Sequence, residues 1–198
     1  MPNWKKVIVS GSNAVLNNIT ASGHLTALDG GFTVNTAAET ELEVDGNISG
    51  SGELEVGYRK LNISNNQNDY NGDVVFFGGE GTGYGQGLLV YYDGDDWVRT
   101  DNALGADPMG TSLLGIALGS SVSTSGVLIR GFYSMNVGTS LFDPGDALYM
   151  GASGQIQTVA PSSTGQISRI IGNVVSTPGG IPSKIYFNPS PDWIEISA

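Results

Sequence analysis

Few residues in this chain have the types and spacing that chemistry needs. The single histidine, His24, has no cysteine and no second histidine with which to share a metal or a proton relay. It sits inside a repeat whose matching position holds Glu53, so the place accepts polar side chains of different chemistry. His24 therefore reads as a solvated surface residue. No serine lies in a G-x-S-x-G elbow, the turn that presents a hydrolase nucleophile. The stretch GGEGTGYGQG, residues 78–87, invites a phosphate-cradle reading. It lacks the Lys-Ser/Thr of a P-loop, its glycines do not follow G-x-G-x-x-G, and no helical pattern follows to receive a phosphate. The expectation is a flexible hairpin tip between Phe77 and Leu88, with Tyr84 projecting toward a partner.

Acids are more numerous, at 19 Asp and Glu. Asp69, Asn71 and Asp73, with Glu80 further on, echo the alternate spacing of a calcium loop, but Val74 stands where the turning glycine belongs. Residues 93–96, DGDD, form the turn joining LLVYY to DWVRT. Turn carboxylates are the favoured reading of both clusters, weak calcium or magnesium binding the competing one. A glycosidase or lyase needs two carboxylates at a set separation, and nothing here singles out a pair. The N-x-S/T triplets at Asn18, Asn47 and Asn62 suit Asn-rich turns better than glycosylation acceptors. No catalytic residue, cofactor or metal ligand is assigned, and the chain is expected to be no enzyme.

The elements that would position any site are short strands. Hydrophobic residues make up 39 % and charged ones 14 % of 198 residues, with 30 glycines, a composition of strands separated by tight turns rather than of helices or disorder. No window of ten or more residues shows a helical period. The net charge of −11, with only 8 basic residues, argues against phosphate-backbone contact, so no nucleic-acid partner is expected. A sequence pI near 4.2 fits an acidic surface that keeps a dense assembly soluble. With no cysteine there are no disulfides or thiolates. The early apolar run stops at Val7-Ile8-Val9, too short for a signal-peptide core, and no stretch reaches membrane-spanning length. Synthesis in a cytoplasm and no membrane insertion are the expectations.

Residues 1–64 read as an N-terminal attachment and β-repeat region. NITASGHLTAL, residues 18–28, returns as NISGSGELEV, residues 47–56, with Ile19 matching Ile48 and Leu25 matching Leu54. Each short segment carries about two inward aliphatics, too little to offset an ordering entropy of about 1–2 kcal/mol per residue. Repeated strands that cannot bury their own face are what repeat architectures stack against neighbours. A homotrimer whose intersubunit β stem has Ile19, Leu25, Ile48 and Leu54 as its core meets that need; an ordinary β-meander is the competing reading.

Residues 65–72 are polar and turn-rich and read as a linker. Beyond it, residues 73–198 read as a small Gly-rich β-barrel with strands near 73–77, 87–92, 97–100, 113–118, 126–135, 147–150, 155–159, 167–175, 184–188 and 193–196. An internal duplication is expected: GDVVFFGG at Gly72 matches GDALYMGA at Gly145, LLGIALGS at Leu113 matches IIGNVVST at Ile170, and GVLIRGF at Gly126 matches SKIYFNP at Ser183. Each half would run from a Gly-Asp turn into an aromatic-bearing strand, and Gly115 and Gly172 would allow barrel bends.

The opening MPNWKKVIVSGSNA and the later LLGIALGSSVSTSGVLIRGFY, GDALYMGASGQIQTVAPSSTGQISRIIGNVV and KIYFNPSPDWIEI resemble virion structural proteins of tailed phages, nearest to fibre-like and surface proteins of phages infecting cyanobacteria. The resemblance spans most of the chain and its motifs are structural. It implies an all-β virion surface protein, made in the host cytoplasm, acting as capsid decoration (cement) or short fibre. Trp4, Lys5 and Lys6 would form the attachment element, docking on the major capsid protein or another virion structural protein. A chain this short lacks the shaft of a long tail fibre, which favours decoration. The alternative function is a host adhesin or carbohydrate-binding module that recognises a host surface glycan through Tyr84, Tyr91, Tyr92 and Trp97. Against it stands the alternation of Tyr91 and Trp97 into a core.

Overall fold

The computed structural model describes residues 61–63, 66–102, 111–135, 142–176 and 183–197, all within the unit Val56–Ala198. Trp4, Lys5, Lys6, Ile19, Leu25, Ile48 and Leu54, with His24 and the expected stem, lie outside the described residues. The described part is all-β. Its strands are β1 (Tyr70–Val75), β2 (Gly79–Glu80), β3 (Leu89–Tyr92), β4 (Asp96–Arg99), β5 (Leu114–Ala117) and β6 (Val127–Met135). They continue as β7 (Ala147–Met150), β8 (Ile156–Gln157), β9 (Ile167–Ser168), β10 (Ile170–Ser176), β11 (Ser183–Phe187) and β12 (Ile194–Glu195). One four-residue helix, α1 (Val122–Ser125), precedes β6.

Alternation is clearest in two of these strands. In β11 Ser183, Ile185 and Phe187 are buried while Lys184 and Tyr186 are partly exposed, and in β7 Leu148 and Met150 point inward. β5, LGIA, is buried at every position because both of its faces are covered. β1 starts at Tyr70, inside the segment 65–72.

β6 is the spine. It pairs with β1 from Val127 to Tyr133, with β5 at Val127 and Leu128, and with β11 from Gly131 to Met135. A strand has two edges, and β1 occupies one along its length, so β5 and β11 share the other and the sheet forks between them. One wing runs β5-β3-β4-β2 and the other β11-β10-β7-β8. At the fork β1 and β6 approach so closely that neither can carry a side chain at the crossing. Gly72 faces Gly131, and a Cβ on Gly72 would collide with the carbonyl oxygen of Arg130.

The wings close over one core. Leu89, Tyr91, Leu114 and Ile116 of the first wing pack with Leu148, Met150, Ile171, Ile185 and Phe187 of the second. Each such side chain, fully buried, contributes about 1.5–3 kcal/mol. The far ends are stitched together: Gly154 N–H donates to the Thr100 carbonyl at 2.7 Å and Asn102 N–H to Gly151 at 3.3 Å. The strand order itself remains an open path from β2 to β8.

Several local expectations change. Gly72-Asp73 is no turn but the middle of β1, because the crossing with Gly131 needs a glycine there. Gly145-Asp146 does form a turn, Asp143 N–H donating to the Asp146 carboxylate at 3.0 Å. The aligned strands consequently occupy different places: β1 pairs with the spine, whereas β7 lies between β10 and β8, the position that β3 holds between β5 and β4. The strand expected at 167–175 breaks at Arg169, whose guanidinium serves two carbonyls.

The segment 78–87 is not a projecting tip. Its first residues form β2, parallel to β4, and Tyr84 packs on the outer face of the first wing with Val90, Trp97, Ala117, Val122 and Val127. Glu80 anchors it by accepting the Val122 N–H at 2.6 Å, at the start of α1.

Candidate functional site

Of the aromatic residues named for glycan contact, Trp97 is wholly buried and Tyr91 nearly so, on opposite faces of their wing. Tyr92 and Tyr84 are partly buried, Tyr92 in an aromatic group with Phe77 and Trp97 at centroid distances of 5.1–5.7 Å. Trp97 donates its indole N–H to the Phe77 carbonyl at 2.8 Å. These rings hold the wing together. The DGDD segment is a hairpin turn: Asp93 accepts the N–H groups of Asp95 and Asp96 at 3.0 and 2.8 Å, which lowers the pKa of its carboxyl. Asn71 and Asp73 lie in β1 and Glu80 in β2. Among the described residues no three His, Cys, Asp or Glu side chains converge as metal ligands would.

Exposed aromatic rings lie elsewhere: Tyr70, Phe76 and Phe77 in and just after β1, and Trp193 beside the outer face of the second wing. A register shift in the β10–β7 pair sets Ile170 opposite Tyr149 and Gly172 opposite Leu148. Ile171 thereby turns wholly into the core while Ile170, 46 % exposed, shares the outer face with Tyr149. After β11 the chain runs on in the same direction beside β10. Asn188 N–H donates to Ile171 at 2.9 Å and Ser190 N–H to Ile170 at 2.8 Å, and the tail then pairs β12 with β9. Between the two tail bonds lies Pro189, which has no N–H to satisfy. Asp192 N–H bonds the Ser190 hydroxyl oxygen at 3.0 Å, fixing the bend that carries Trp193.

The result is an open cleft of ≈ 270 Å³ lined by Tyr149, Ser168, Ile170, Asp192, Trp193 and Ile194, with Ser190 at its edge. Trp193 is 42 % exposed and Ile194 62 %. Beneath the tail, buried Arg169 donates from Nε to the Ser190 carbonyl at 2.7 Å and from Nη1 to Ser112 at 2.8 Å. Burial pulls its pKa below the ordinary arginine value. Arg169 thus positions the Ser190–Trp193 bend without facing the cleft.

A second cleft, of ≈ 350 Å³, opens at the fork, lined by Asp73, Leu113, Ile129, Arg130, Arg169 and Asn188 among others. Arg130 bonds the Tyr186 hydroxyl at 3.3 Å, and that bond, then the charge of Asp73, raises its pKa. The sequence signals single out neither cleft: Trp193 lies in a segment read as a terminal strand, and Tyr149 in the aromatic-bearing strand of the expected second half.

Among the described residues no helix is long and apolar enough to cross a membrane. No protein-family model, no curated protein and no solved structure matches the chain.

Proposed function

We propose that the chain is a non-enzymatic structural protein of a tailed-phage virion, a homotrimer on the particle surface serving as capsid decoration or short fibre. Residues 1–64 form its intersubunit β stem, with Ile19, Leu25, Ile48 and Leu54 as the core, and Trp4, Lys5 and Lys6 dock on the major capsid protein or a neighbouring virion protein. Residues 73–198 form a nearly closed barrel, a reading that the Thr100–Gly154 and Asn102–Gly151 stitches support. The protein is made in the host cytoplasm. The observation that carries the proposal is the repeat at residues 18–28 and 47–56, whose aliphatics need partners that each short segment lacks. A trimer that bridges capsid subunits and binds only the assembled shell stabilises it by mass action.

The test is the mass of the full-length protein in solution, by light scattering after size exclusion, followed by antibody labelling on particles. Three times the 20.6 kDa chain mass is expected, falling to the chain mass when Ile19, Leu25, Ile48 and Leu54 are replaced by serine. A monomeric wild type refutes the stem, and particles that bind no antibody refute the location. A second reading, host adhesion through a carbohydrate-binding surface, is favoured by one observation: Trp193 exposed beside Tyr149.

A further inference from the structure

We propose that the cleft between the C-terminal tail and β7 binds a neutral saccharide, with Trp193 and Tyr149 contacting the sugar ring and Asp192 and Ser168 its hydroxyls. The proposal rests on the host-adhesion reading and gives it a site.

Three observations and the chemistry of a sugar ring lead to it. The lining joins two aromatic residues and two isoleucines to polar groups at the same opening, and apolar surface rimmed by polar groups marks interaction sites. Among the described residues, the Tyr149 hydroxyl, the Ser168 hydroxyl, the Asp192 carboxylate and the Trp193 indole N–H make no intramolecular hydrogen bond, so they remain available to a ligand. A pyranose matches that pairing, since its C–H face is apolar and its rim carries hydroxyls that both donate and accept. At ≈ 270 Å³ the cleft lies just below the about 300–1,000 Å³ of drug-sized sites, which suits a sugar ring rather than a large ligand.

Charge selects within the class. The chain carries −11, and the one ionisable acid lining the cleft is Asp192, so sulfated or carboxylated sugars are repelled where a neutral hydroxyl finds an acceptor. The site is also held from behind. The Ser190 carbonyl is fixed by Arg169, the Asp192 N–H by the Ser190 hydroxyl, and the tail by the β12–β9 pair. Preorganisation of this kind lowers the ordering cost of binding.

The experiment uses purified full-length protein titrated with cellohexaose, maltohexaose, chitohexaose and a mannan oligosaccharide, and with heparin oligosaccharide as the anionic probe. Binding is followed by saturation-transfer NMR and calorimetry. At least one neutral probe is expected to bind with a Kd of about 1 mM or tighter, within the measurable range of affinity arithmetic. Trp193→Ala should weaken it at least about tenfold, as loss of a central aromatic anchor does, with Asp192→Ala weakening it by a smaller factor. Both variants should melt within about 2 °C of wild type, as exposed substitutions away from structural contacts do. Should Trp193→Ala unfold the tail, Asp192→Ala alone decides. A neutral probe that binds wild type and both variants equally overturns the site while leaving host adhesion standing. Binding of heparin alone overturns the neutral site while leaving a carbohydrate-binding surface standing, and no binding of any probe up to about 10 mM overturns both.

Discussion

A methyl group added at the fork of the sheet should cost more than one added at any solvent turn, and three glycines separate the reasons. Gly94, in the β3–β4 turn, has φ +114°, and a Cβ there would meet nothing within 4 Å. Gly94→Ala therefore pays backbone strain alone, about 1–3 kcal/mol. Gly72 lies outside the left-handed region, but its Cβ would collide with the Arg130 carbonyl oxygen and sit 2.7 Å from the Cα of Gly131. Gly72→Ala is thus an overpacking change, at about 1–3 kcal/mol or somewhat more because backbone and not a side chain must yield. Gly131 combines both, with φ +143° and a Cβ that would lie 2.6 Å from the Cα of Gly72 and closer still to the Asn71 carbonyl oxygen. Gly131→Ala should cost about 3–5 kcal/mol, a large part of the about 5–15 kcal/mol that holds a domain folded. Thermal melts followed by far-UV circular dichroism read this directly. At about 2–4 °C per kcal/mol for chains of this size, Gly131→Ala should melt about 10 °C low and Gly94→Ala a few degrees low. The double variant Gly72→Ala/Gly131→Ala should cost less than the sum of its parts, since both methyls open one crossing. If Gly72→Ala and Gly131→Ala both melt within about 2 °C of wild type, β1 does not cross β6 as described and the fork is wrong.

Three further outcomes follow from single side chains. Burial pushes the Tyr133 hydroxyl pKa up to about 12, so its contribution is complete below the ordinary tyrosine value near 10 and is lost as pH rises through 12; Tyr133→Phe should flatten that alkaline fall while losing the 2.9 Å bond to Asn68, about 1 kcal/mol at neutral pH. Bonds from the Ser121 hydroxyl and then the Val122 N–H hold the Glu80 carboxyl below its usual pKa, so its stabilisation is present above about 4.5 and lost as pH falls through the lowered value; Glu80→Gln should remove that acid-side dependence from melts taken between about pH 3 and 6. Arg169→Met strands the carbonyls of Ser112 and Ser190, at about 1–3 kcal/mol for each acceptor left unmet, read in urea unfolding; Arg169→Lys should recover only part, because one ammonium cannot reproduce the guanidinium fork.

How much was legible depended on whether one face or two were covered. SKIYF and ALYM alternate, so β11 and β7 emerge from the sequence with nearly their true bounds. The hairpin turn at Asp93-Gly94 emerges too, because side-chain acceptance by Asp93 and a positive φ at glycine are local properties. Gly72-Asp73 misleads for the opposite reason. The pair has turn composition, but its glycine answers to a strand that lies 59 positions away in sequence, at Gly131. Arg169 interrupts the strand expected at 167–175 for the sake of carbonyls at Ser112 and Ser190, a demand that no local pattern carries. The aromatic residues show the same limit, although Tyr91 and Trp97 are buried as their alternation favours. Alternation places Tyr91 and Trp97 on opposite faces but does not say that both faces are covered, nor that Tyr70, Phe76, Phe77 and Trp193 are the rings left exposed.

That difference between faces is where the two wings part company. In the first wing the outer face is mostly covered by the chain itself: Tyr84, Val122 and Val75 pack over Val90, Trp97 and Ala117, Glu80 ties the covering segment to α1, and Phe77 at the margin stays exposed. In the second the inner face is as well filled, by Leu148, Met150, Ile171 and Val174, while Ile170 and Val175 look outward and Tyr149 and Ile170 share a cleft with the C-terminal tail. Covering a face with glycine-rich chain costs ordering entropy, which the first wing offsets with Trp97 and its aromatic neighbours. The second wing does not make that exchange. It keeps aromatic and aliphatic side chains at the surface and holds them in place through Arg169 and the tail bonds. Fixed apolar surface of this kind contributes less to the stability of the lone chain than a covered face would, and it is the kind of surface that marks interaction sites.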